Sequence, residues 1–203
     1  MRIGIALIKK DNDSNKNLNN LLVNLKAATN HQVDWVLFPK DYLNSIPIDI
    51  TDMFLFSIKQ ACILFDINCG VGFIEQDHDS VYSSYLIINQ HGEVIQHARM
   101  HEVNEPFFIN NLSFMIHFDD SQSFLSKGIN LLVLSDPATE KQWFNERLDV
   151  YKQIADGYDV LGFNQVDDNH FGGAFYLHNN TFEMNQPTGQ YGLNLFDITE
   201  RVL

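Results

Sequence analysis

The order of apolar and polar residues predicts an α/β fold, in which a mixed β-sheet carries helices on its outer faces. Short apolar runs, typical of buried strands, alternate along the 203-residue chain with segments of helical periodicity. Two further pairs of strand-like runs are separated by turn residues, which indicates hairpins inserted between the alternating units. Parallel units and antiparallel hairpins together require a mixed sheet rather than a purely parallel one.

The first half of the chain begins with a strand–helix–strand unit and ends with a hairpin. Helices are predicted over Asn17–Thr29, where leucines recur at helical spacing, and over the very apolar Thr51–Phe65. The predicted strands are Ile3–Ile8, Val33–Phe38, Asn68–Ile74, Val81–Asn89 and Glu93–Arg99. The last two pair around a Gln-His-Gly turn.

The second half repeats the alternation after Met100–Leu112, which we expect to be a polar and aromatic connection. Helices are predicted over Ser121–Lys127, closed by Gly128, and over Glu140–Tyr158. The predicted strands are Ser113–Asp120, Ile129–Leu134, Val160–Val166, Phe171–Leu177, Thr181–Asn185 and Tyr191–Ile198. No linker interrupts the pattern, so residues 1–203 are expected to form one domain.

The charge, the lengths of the apolar runs and the cysteines indicate which partners and which compartment the sequence favours. The formal net charge is −13 and the isoelectric point is about 4.8, a field that repels nucleic acid and anionic membrane surfaces. No apolar run reaches the ~18 residues of a membrane span, and Met1–Ile8 is too short for a signal peptide. Cys62 and Cys69 lie in apolar surroundings and are interpreted as buried thiols, with a disulfide or metal pair as the alternative. These features favour a cytoplasmic protein.

The stretch Ser113–Asp120, SFMIHFDD, is the clearest candidate for a functional segment. A buried strand there runs into His117 and is followed by Asp119 and Asp120. In open α/β sheets, ligands bind beyond the carboxyl ends of the strands. An imidazole and carboxylates at such an end therefore predict a site.

Several segments match, in order, those of one known family. They are DWVLFP at 34–39, GVGF at 70–73, the hairpin VYSSYLII with HGEVI at 81–95, HARMH at 97–101, MIHFD at 115–119, KGINLLVLSDPA at 127–138, GFNQV at 162–166 and HFGGAFYL at 170–177. Over nearly its whole length the chain resembles the nitrilase, or carbon–nitrogen hydrolase, superfamily. The resemblance implies a four-layer αββα sandwich with mixed sheets and a Glu–Lys–Cys triad that attacks amides or nitriles.

All three triad positions are replaced in this chain. The resemblance puts Lys40 at the position of the Glu, Arg99 (or Met100, if the register shifts by one) at that of the Lys, and His117 at that of the Cys. A cation cannot serve as the general base at neutral pH, and an imidazole replaces the thiol. Catalysis by the family route is therefore expected to be absent, which makes the chain a pseudoenzyme in that respect.

Three arrangements of these residues stay open. In the first, Lys40 and Arg99 pair with Glu105 or Asp119, and His117 fills the vacated space with one hydrogen bond. In the second, the cations of a remaining pocket bind an anionic ligand without catalysis. In the third, an amide or nitrile hydrolase or acyl transferase has been rebuilt around His117.

The histidines near the triad positions are also considered as metal ligands. His97 and His101 flank Arg99 at a spacing that would put them on one strand face, and His117 and Asp119 share a face in the same way. No tight spacing motif joins them, so we expect neither a metal site nor a cofactor. His101 is otherwise an auxiliary residue of the pocket.

The resemblance also implies partners, since family members dimerise through helices beside the active site. We expect a homodimer or association with an active relative. A small-molecule ligand is a further possibility, in a cavity rimmed by aromatic residues such as Phe107, Phe108 and Trp143. The remaining polar cluster is interpreted as structural: His170 begins a glycine-containing strand, and Asp167-Asp168 is a solvated loop.

Overall fold

Two six-stranded sheets pack face to face, with helices on both outer faces, in the computed structural model, which describes residues 1–118, 128–186 and 192–198. In chain order the elements are β1 (Arg2–Leu7), α1 (Ser14–Thr29), β2 (Trp35–Leu37), α2 (Met53–Phe65), β3 (Asn68–Asp77), β4 (Ser80–Ile88), β5 (Val94–Arg99), β6 (Phe107–Ile109), β7 (Leu112–Phe118), β8 (Ile129–Leu134), α3 (Glu140–Gln142), α4 (Leu148–Ile154), β9 (Asp159–Asn164), β10 (Ala174–His178), β11 (Thr181–Gln186) and β12 (Gly192–Asp197).

Both sheets are mixed, as the sequence predicts. The first has the order β12-β1-β2-β3-β4-β5, and the second has the order β11-β10-β9-β8-β7-β6. Strands β1, β2 and β3 are parallel, as are β7, β8 and β9, while the flanking strands pair antiparallel. The fold is thus a four-layer αββα sandwich with mixed sheets.

Among the described residues, three apolar clusters hold these layers together, and alternation along each strand decides which cluster a residue joins. The inter-sheet core fills the space between the sheets, with Trp35, Phe114 and Phe163 among its fully buried members. The second cluster lies under α1 and α2, on what we call the first outer face. The third lies under α4, on the second outer face, around Trp143 and Phe175.

The parallel strands of the two sheets end at the same edge of the sandwich. The backbone N–H of Lys10, just after β1, donates to the carbonyl of Val166, just after β9, over 2.9 Å. This hydrogen bond joins the segments that follow the carboxyl ends of strands in different sheets. We call this side of the molecule the carboxyl edge, and it is where ligands bind in open α/β sheets.

Two elements differ from the sequence-based prediction. The predicted connection Met100–Leu112 contains β6, which pairs with β7 through a turn in which Asn110 and Asn111 have φ angles of 50° and 66°. Asparagine tolerates this left-handed region, so two adjacent asparagines can close a tight hairpin. The predicted helix Glu140–Tyr158 ends earlier, at Ile154, and it is not uniformly α-helical, because a π-helical turn, Trp143–Arg147, separates α3 from α4.

The predicted helix Ser121–Lys127 lies outside the described residues. Within the described ranges, every helix is too short or too polar to cross a membrane.

Candidate active site at the carboxyl edge

Lys40 lies buried just beyond β2, with 6% of its surface exposed. Its Nζ is 3.5 Å from the sulfur of Met100, which follows β5 and packs against the inter-sheet core. The loop that carries Lys40 is fixed by close backbone packing, because a Cβ at Gly72 would approach the Pro39 carbonyl oxygen and the Asp41 nitrogen to 2.5 Å. Of the two residues proposed for the family Lys, Met100 is therefore the one that contacts Lys40.

Arg99 points to the other side of the same sheet. Its neighbours Ala98 and Met100 pack in or against the inter-sheet core, so Arg99 lies on the first outer face. There its guanidinium donates to both carboxylate oxygens of Glu75, at 3.1 and 2.7 Å, and to Asp77 at 2.8 Å. The prediction that Arg99 pairs with Glu105 or Asp119 is wrong as regards Glu105, because Glu75 and Asp77 hold the guanidinium.

Glu75 is the centre of this ion-pair cluster, with a side chain only 2% exposed. Besides Arg99, its carboxylate accepts hydrogen bonds from Ser84 Oγ and His97 Nε2 at 2.5 and 2.8 Å. Burial opposes ionisation of Glu75, but the hydrogen bonds from Arg99, Ser84 and His97 outweigh it and lower the pKa of the carboxyl. The members of this cluster bind one another, so we interpret the cluster as structural.

His117 lies on the second outer face. Ile116 and Phe118 on either side of it belong to the inter-sheet core, so the imidazole points away from that core. It is 5% exposed, and its Nε2 is 2.9 Å from Oδ1 of Asn130 on the neighbouring strand. Burial lowers the pKa of His117 and so favours the neutral imidazole.

The three replaced residues do not converge on one cavity. Arg99 and His117 lie on outer faces of different sheets, with the inter-sheet core between them. The two cysteines offer no substitute nucleophile, since Cys62 and Cys69 are free and fully buried on the first outer face. Burial and the neighbouring Cys62 raise the pKa of the Cys69 thiol well above its ordinary value.

The auxiliary residues are also dispersed. Glu105 and His101 are exposed, and His101 follows β5 in a left-handed conformation with a φ of 70°. His97 and His101 therefore do not share a strand face, contrary to the prediction, because the strand ends before His101. Asp119 lies outside the described residues. Among the described residues, no group of three or more His, Cys, Asp or Glu side chains is placed to hold a metal ion.

The predicted aromatic rim does not form. Phe107 is buried in the inter-sheet core and Trp143 under α4, while Phe108 is 68% exposed. The alternation along β6 separates Phe107 from Phe108, and the two sheet faces separate Phe107 from Trp143.

A polar cavity of about 420 Å³ does open at the carboxyl edge. It lies beside the segments that follow β1 and β9, and its lining contains basic, acidic and amide side chains. They are Lys9, Lys10, Asp11, Asn12, Ser45, Gln165, Asp167, Asp168 and Asn169. The described part of the predicted segment Ser113–Asp120 belongs to β7, whereas the cavity lies beside the segments that follow β1 and β9.

Beside this cavity, three side chains from two segments of the chain form a hydrogen-bonded row. Ser135 Oγ is 3.2 Å from His170 Nε2, and His170 Nδ1 is 2.7 Å from Asp167 Oδ1. Asp167 is thus a hydrogen-bond acceptor within the site rather than part of a solvated loop. The sequence shows Asp167 and His170 at a spacing of three residues, but nothing in it links them to Ser135, which follows β8.

Asn164, fully buried at the end of β9, ties these segments together. Its Oδ1 accepts from the backbone N–H groups of Asp136 and Gln165, each at 2.9 Å. Its Nδ2 donates to the carbonyls of Asp136 and Gly172, at 2.9 and 3.2 Å. One side chain therefore fixes the loop after β8 relative to the segment that precedes β10.

Comparisons with known proteins support the fold. No protein-family profile and no curated protein sequence matches the chain. An amidase from Nesterenkonia sp. superimposes with a TM-score of 0.81 at 12% identity, over 98% of this chain and 90% of that protein. A double mutant of the Nesterenkonia sp. AN1 amidase in complex with acrylamide gives 0.82 at 12% identity, over 98% and 91%. The glutamine-dependent NAD⁺ synthetase from Acinetobacter baumannii gives 0.74 at 16% identity, over 96% of this chain and 44% of its own.

These likenesses concern architecture. The Nesterenkonia amidase is assigned to the nitrilase superfamily, and one of its structures shows acrylamide added to the active-site cysteine. The chain described here has the fold of these amidases, a four-layer αββα sandwich with two mixed sheets.

Proposed function

We propose that this chain is a nitrilase-superfamily protein that lacks the thiol mechanism and acts by association, first of all with a second copy of itself. The fold and the ordered sequence segments support the superfamily. The burial of both cysteines and the separation of Arg99 from His117 support the loss of the Glu–Lys–Cys route. The observation that carries the association is the exposed surface of α2.

Four of the five exposed residues on α2 are apolar. The four are Met53, Phe56, Ile63 and Leu64, with 69%, 51%, 50% and 76% of their surfaces exposed. Together with Gln60 they fall within about one third of the helix circumference, because successive residues turn by about 100°. An exposed and mainly apolar stripe of this kind, which we call the α2 stripe, is typical of a surface that binds another protein.

A re-purposed amide hydrolase centred on His117 is the less favoured alternative. His117 is buried against Asn130, and burial lowers its pKa. The residues proposed to assist it are Arg99 and Lys40. Arg99 is held by Glu75 on the first outer face, and Lys40 lies beyond β2 with its Nζ 3.5 Å from the sulfur of Met100. This alternative would require a different set of assisting residues.

We expect the protein to be a dimer in solution and the double variant Phe56→Glu with Leu64→Glu to be a monomer. Burying a carboxylate without a partner in an apolar interface costs several kcal/mol, more than a modest interface can offset. The mass is measured by light scattering after gel filtration and by sedimentation velocity over a range of concentrations.

Val23→Glu is the matched control, because Val23 is also an exposed apolar residue on a helix, at 57% exposure, but lies on α1. It should leave the dimer intact. A parent protein that stays monomeric at every attainable concentration contradicts the proposal, as does a double variant that dimerises like the parent.

A further inference from the structure

The row formed by Ser135, His170 and Asp167 has the connectivity of a catalytic triad. The His170 Nδ1–H donates to Asp167 over 2.7 Å, which leaves Nε2 to accept the Ser135 hydroxyl proton over 3.2 Å. This tautomer is the one that a general base needs in order to take a proton from a serine nucleophile. A carboxylate on the far nitrogen stabilises the imidazolium that forms.

The orienting carboxylate is firmly held. Asp167 Oδ1 also accepts from the backbone N–H groups of Asn169 and His170, at 2.7 and 2.9 Å, and Oδ2 accepts from Gln165 Nε2 at 2.8 Å. Burial acts against ionisation, but the hydrogen bonds from His170 and Asn169 dominate and lower the pKa of Asp167. The group is therefore ionised at neutral pH, as its role requires.

Ser135 is held from the other side of the site. It follows β8 directly, and the next residue, Asp136, is anchored by Asn164 and by the hydroxyl of Tyr151 at 2.7 Å. Ser135 itself is only partly buried, and its hydroxyl has Gln165 Oε1 as a second acceptor at 3.3 Å. The nucleophile position is thus fixed in the backbone, and the residue keeps part of its surface exposed.

The polar cavity supplies space next to this row. Gln165, which contacts Ser135, and Asp167, which contacts His170, both line the 420 Å³ cavity. Lys10 lies on its wall and interacts electrostatically with Asp41 and Asp167. A cation near the site of reaction can stabilise an oxyanion.

We propose that Ser135, His170 and Asp167 form a serine acyl-hydrolase site that accepts small, polar esters. Ser135 Oγ attacks the acyl carbon while its proton moves to His170 Nε2. The imidazolium then protonates the leaving oxygen as the carbon–oxygen bond breaks. Water repeats the sequence on the acyl-enzyme and releases the carboxylic acid. Asp167 acts as a positioning residue for His170.

The substrate class follows from the cavity. Its volume admits only a small molecule, and its lining of lysine, aspartate and amide groups favours an ester with hydrogen-bonding substituents over a long acyl chain. This activity is independent of the α2 stripe and of His117. It can therefore fail while the proposed association holds, and the reverse also applies.

The test is covalent labelling of the full-length protein with a fluorophosphonate probe, followed by peptide mass spectrometry. We expect the adduct on Ser135, no adduct in Ser135→Ala, and a labelling rate at least about 100-fold lower in His170→Ala. The rate of p-nitrophenyl acetate hydrolysis should fall in the same two variants as the labelling rate. Ser57→Ala removes an ordinary helix hydroxyl, which bonds to the Met53 carbonyl, and should label like the parent.

The variant Asp167→Asn tests whether Asp167 positions the His170 imidazole or only stabilises the fold. We expect a labelling rate about 100-fold or more below the parent at every pH tested, because the amide no longer fixes the required imidazole tautomer. A variant that merely loosened the fold would lower the melting temperature without a matched loss of labelling.

Ser135→Cys gives a second readout that does not depend on phosphonate chemistry. A thiol paired with His170 should react with iodoacetamide faster than the same thiol in the double variant Ser135→Cys with His170→Ala. The native cysteines are fully buried and supply little background. The proposal is overturned if the parent remains unlabelled, if the adduct lies on another serine, or if loss of His170 leaves both rates unchanged.

Discussion

Replacing Arg99 by methionine is expected to lower the free energy of unfolding by about 3–5 kcal/mol at neutral pH. The change leaves the carboxylate of Glu75, whose side chain is 2% exposed, without the cation that binds both of its oxygens. Ser84 and His97 remain as donors, but they do not replace a bidentate guanidinium. The measurement is chemical unfolding followed by circular dichroism.

The pH dependence of the stability difference between the parent and Arg99→Met tests whether the ionised Glu75 carboxylate is the cause. The pKa of Glu75 is lowered in the folded protein, so its contribution to stability is present above the unfolded-state pKa and is lost as pH falls through the folded-state pKa. Once Arg99 is gone, a buried Glu75 favours its protonated form, so the difference between parent and variant should shrink towards acidic pH. An unchanged difference would contradict this explanation.

Arg2→Met is the matched control. Arg2 also pairs with a carboxylate, that of Asp197 at 2.8 Å, but the two side chains are 37% and 68% exposed. Exposed ion pairs contribute about 0–1 kcal/mol, so this substitution should cost far less than the one at position 99. Equal effects at the two positions would show that burial of Glu75 is not the cause.

Asn164→Leu is expected to destabilise the protein by about 3 kcal/mol. The substitution keeps the branching at Cγ but leaves the backbone N–H of Asp136 and the carbonyls of Asp136 and Gly172 without the partner that the side chain provides. A buried polar group that loses its partner is removed from water without a hydrogen bond to compensate, which destabilises the folded state. Thermal and chemical unfolding measure the loss.

Asn24→Leu is the corresponding control on α1. The amide of Asn24 donates to the Asn20 carbonyl at 2.8 Å from a half-buried position, where water can replace it. We expect a change within about 0.5 kcal/mol. A loss at position 164 no larger than this would mean that Asn164 does not hold the two segments together.

The strands were largely predictable from the sequence, because apolar runs and turn residues are local signals. Strand β6 was not, because Pro106 and its polar neighbours hide a short strand whose partner decides its existence. The π-helical turn was missed for a related reason, since packing of Trp143 under the second outer face is a tertiary property. Such features depend on neighbours that the local pattern does not show.

The side of the sheet to which a side chain points was partly predictable from the sequence. Ala98 and Met100 are apolar and Arg99 is charged, so alternation along β5 already indicates that Arg99 points away from the core. The family-based alignment put it at the triad position instead, and Met100 is the residue that contacts Lys40. Periodicity was here a better guide to side-chain direction than motif spacing.

The row at the carboxyl edge could not have been found from the sequence. Ser135 and His170 are 35 residues apart and meet only because β8 and β9 are adjacent, parallel strands. Asn164 then fixes the loops that carry them. Contacts of this kind follow from strand order, which sequence periodicity does not determine.

The proposed absence of the thiol mechanism of nitrilase-superfamily amidases is tested most directly by the rate of ammonia release from small amides and nitriles, compared between the parent and His117→Ala. We predict equal rates, whether these are zero or come from another part of the molecule. A fall of about tenfold or more in His117→Ala, about 1.4 kcal/mol of transition-state stabilisation, would contradict the account, provided that the variant retains the melting temperature of the parent.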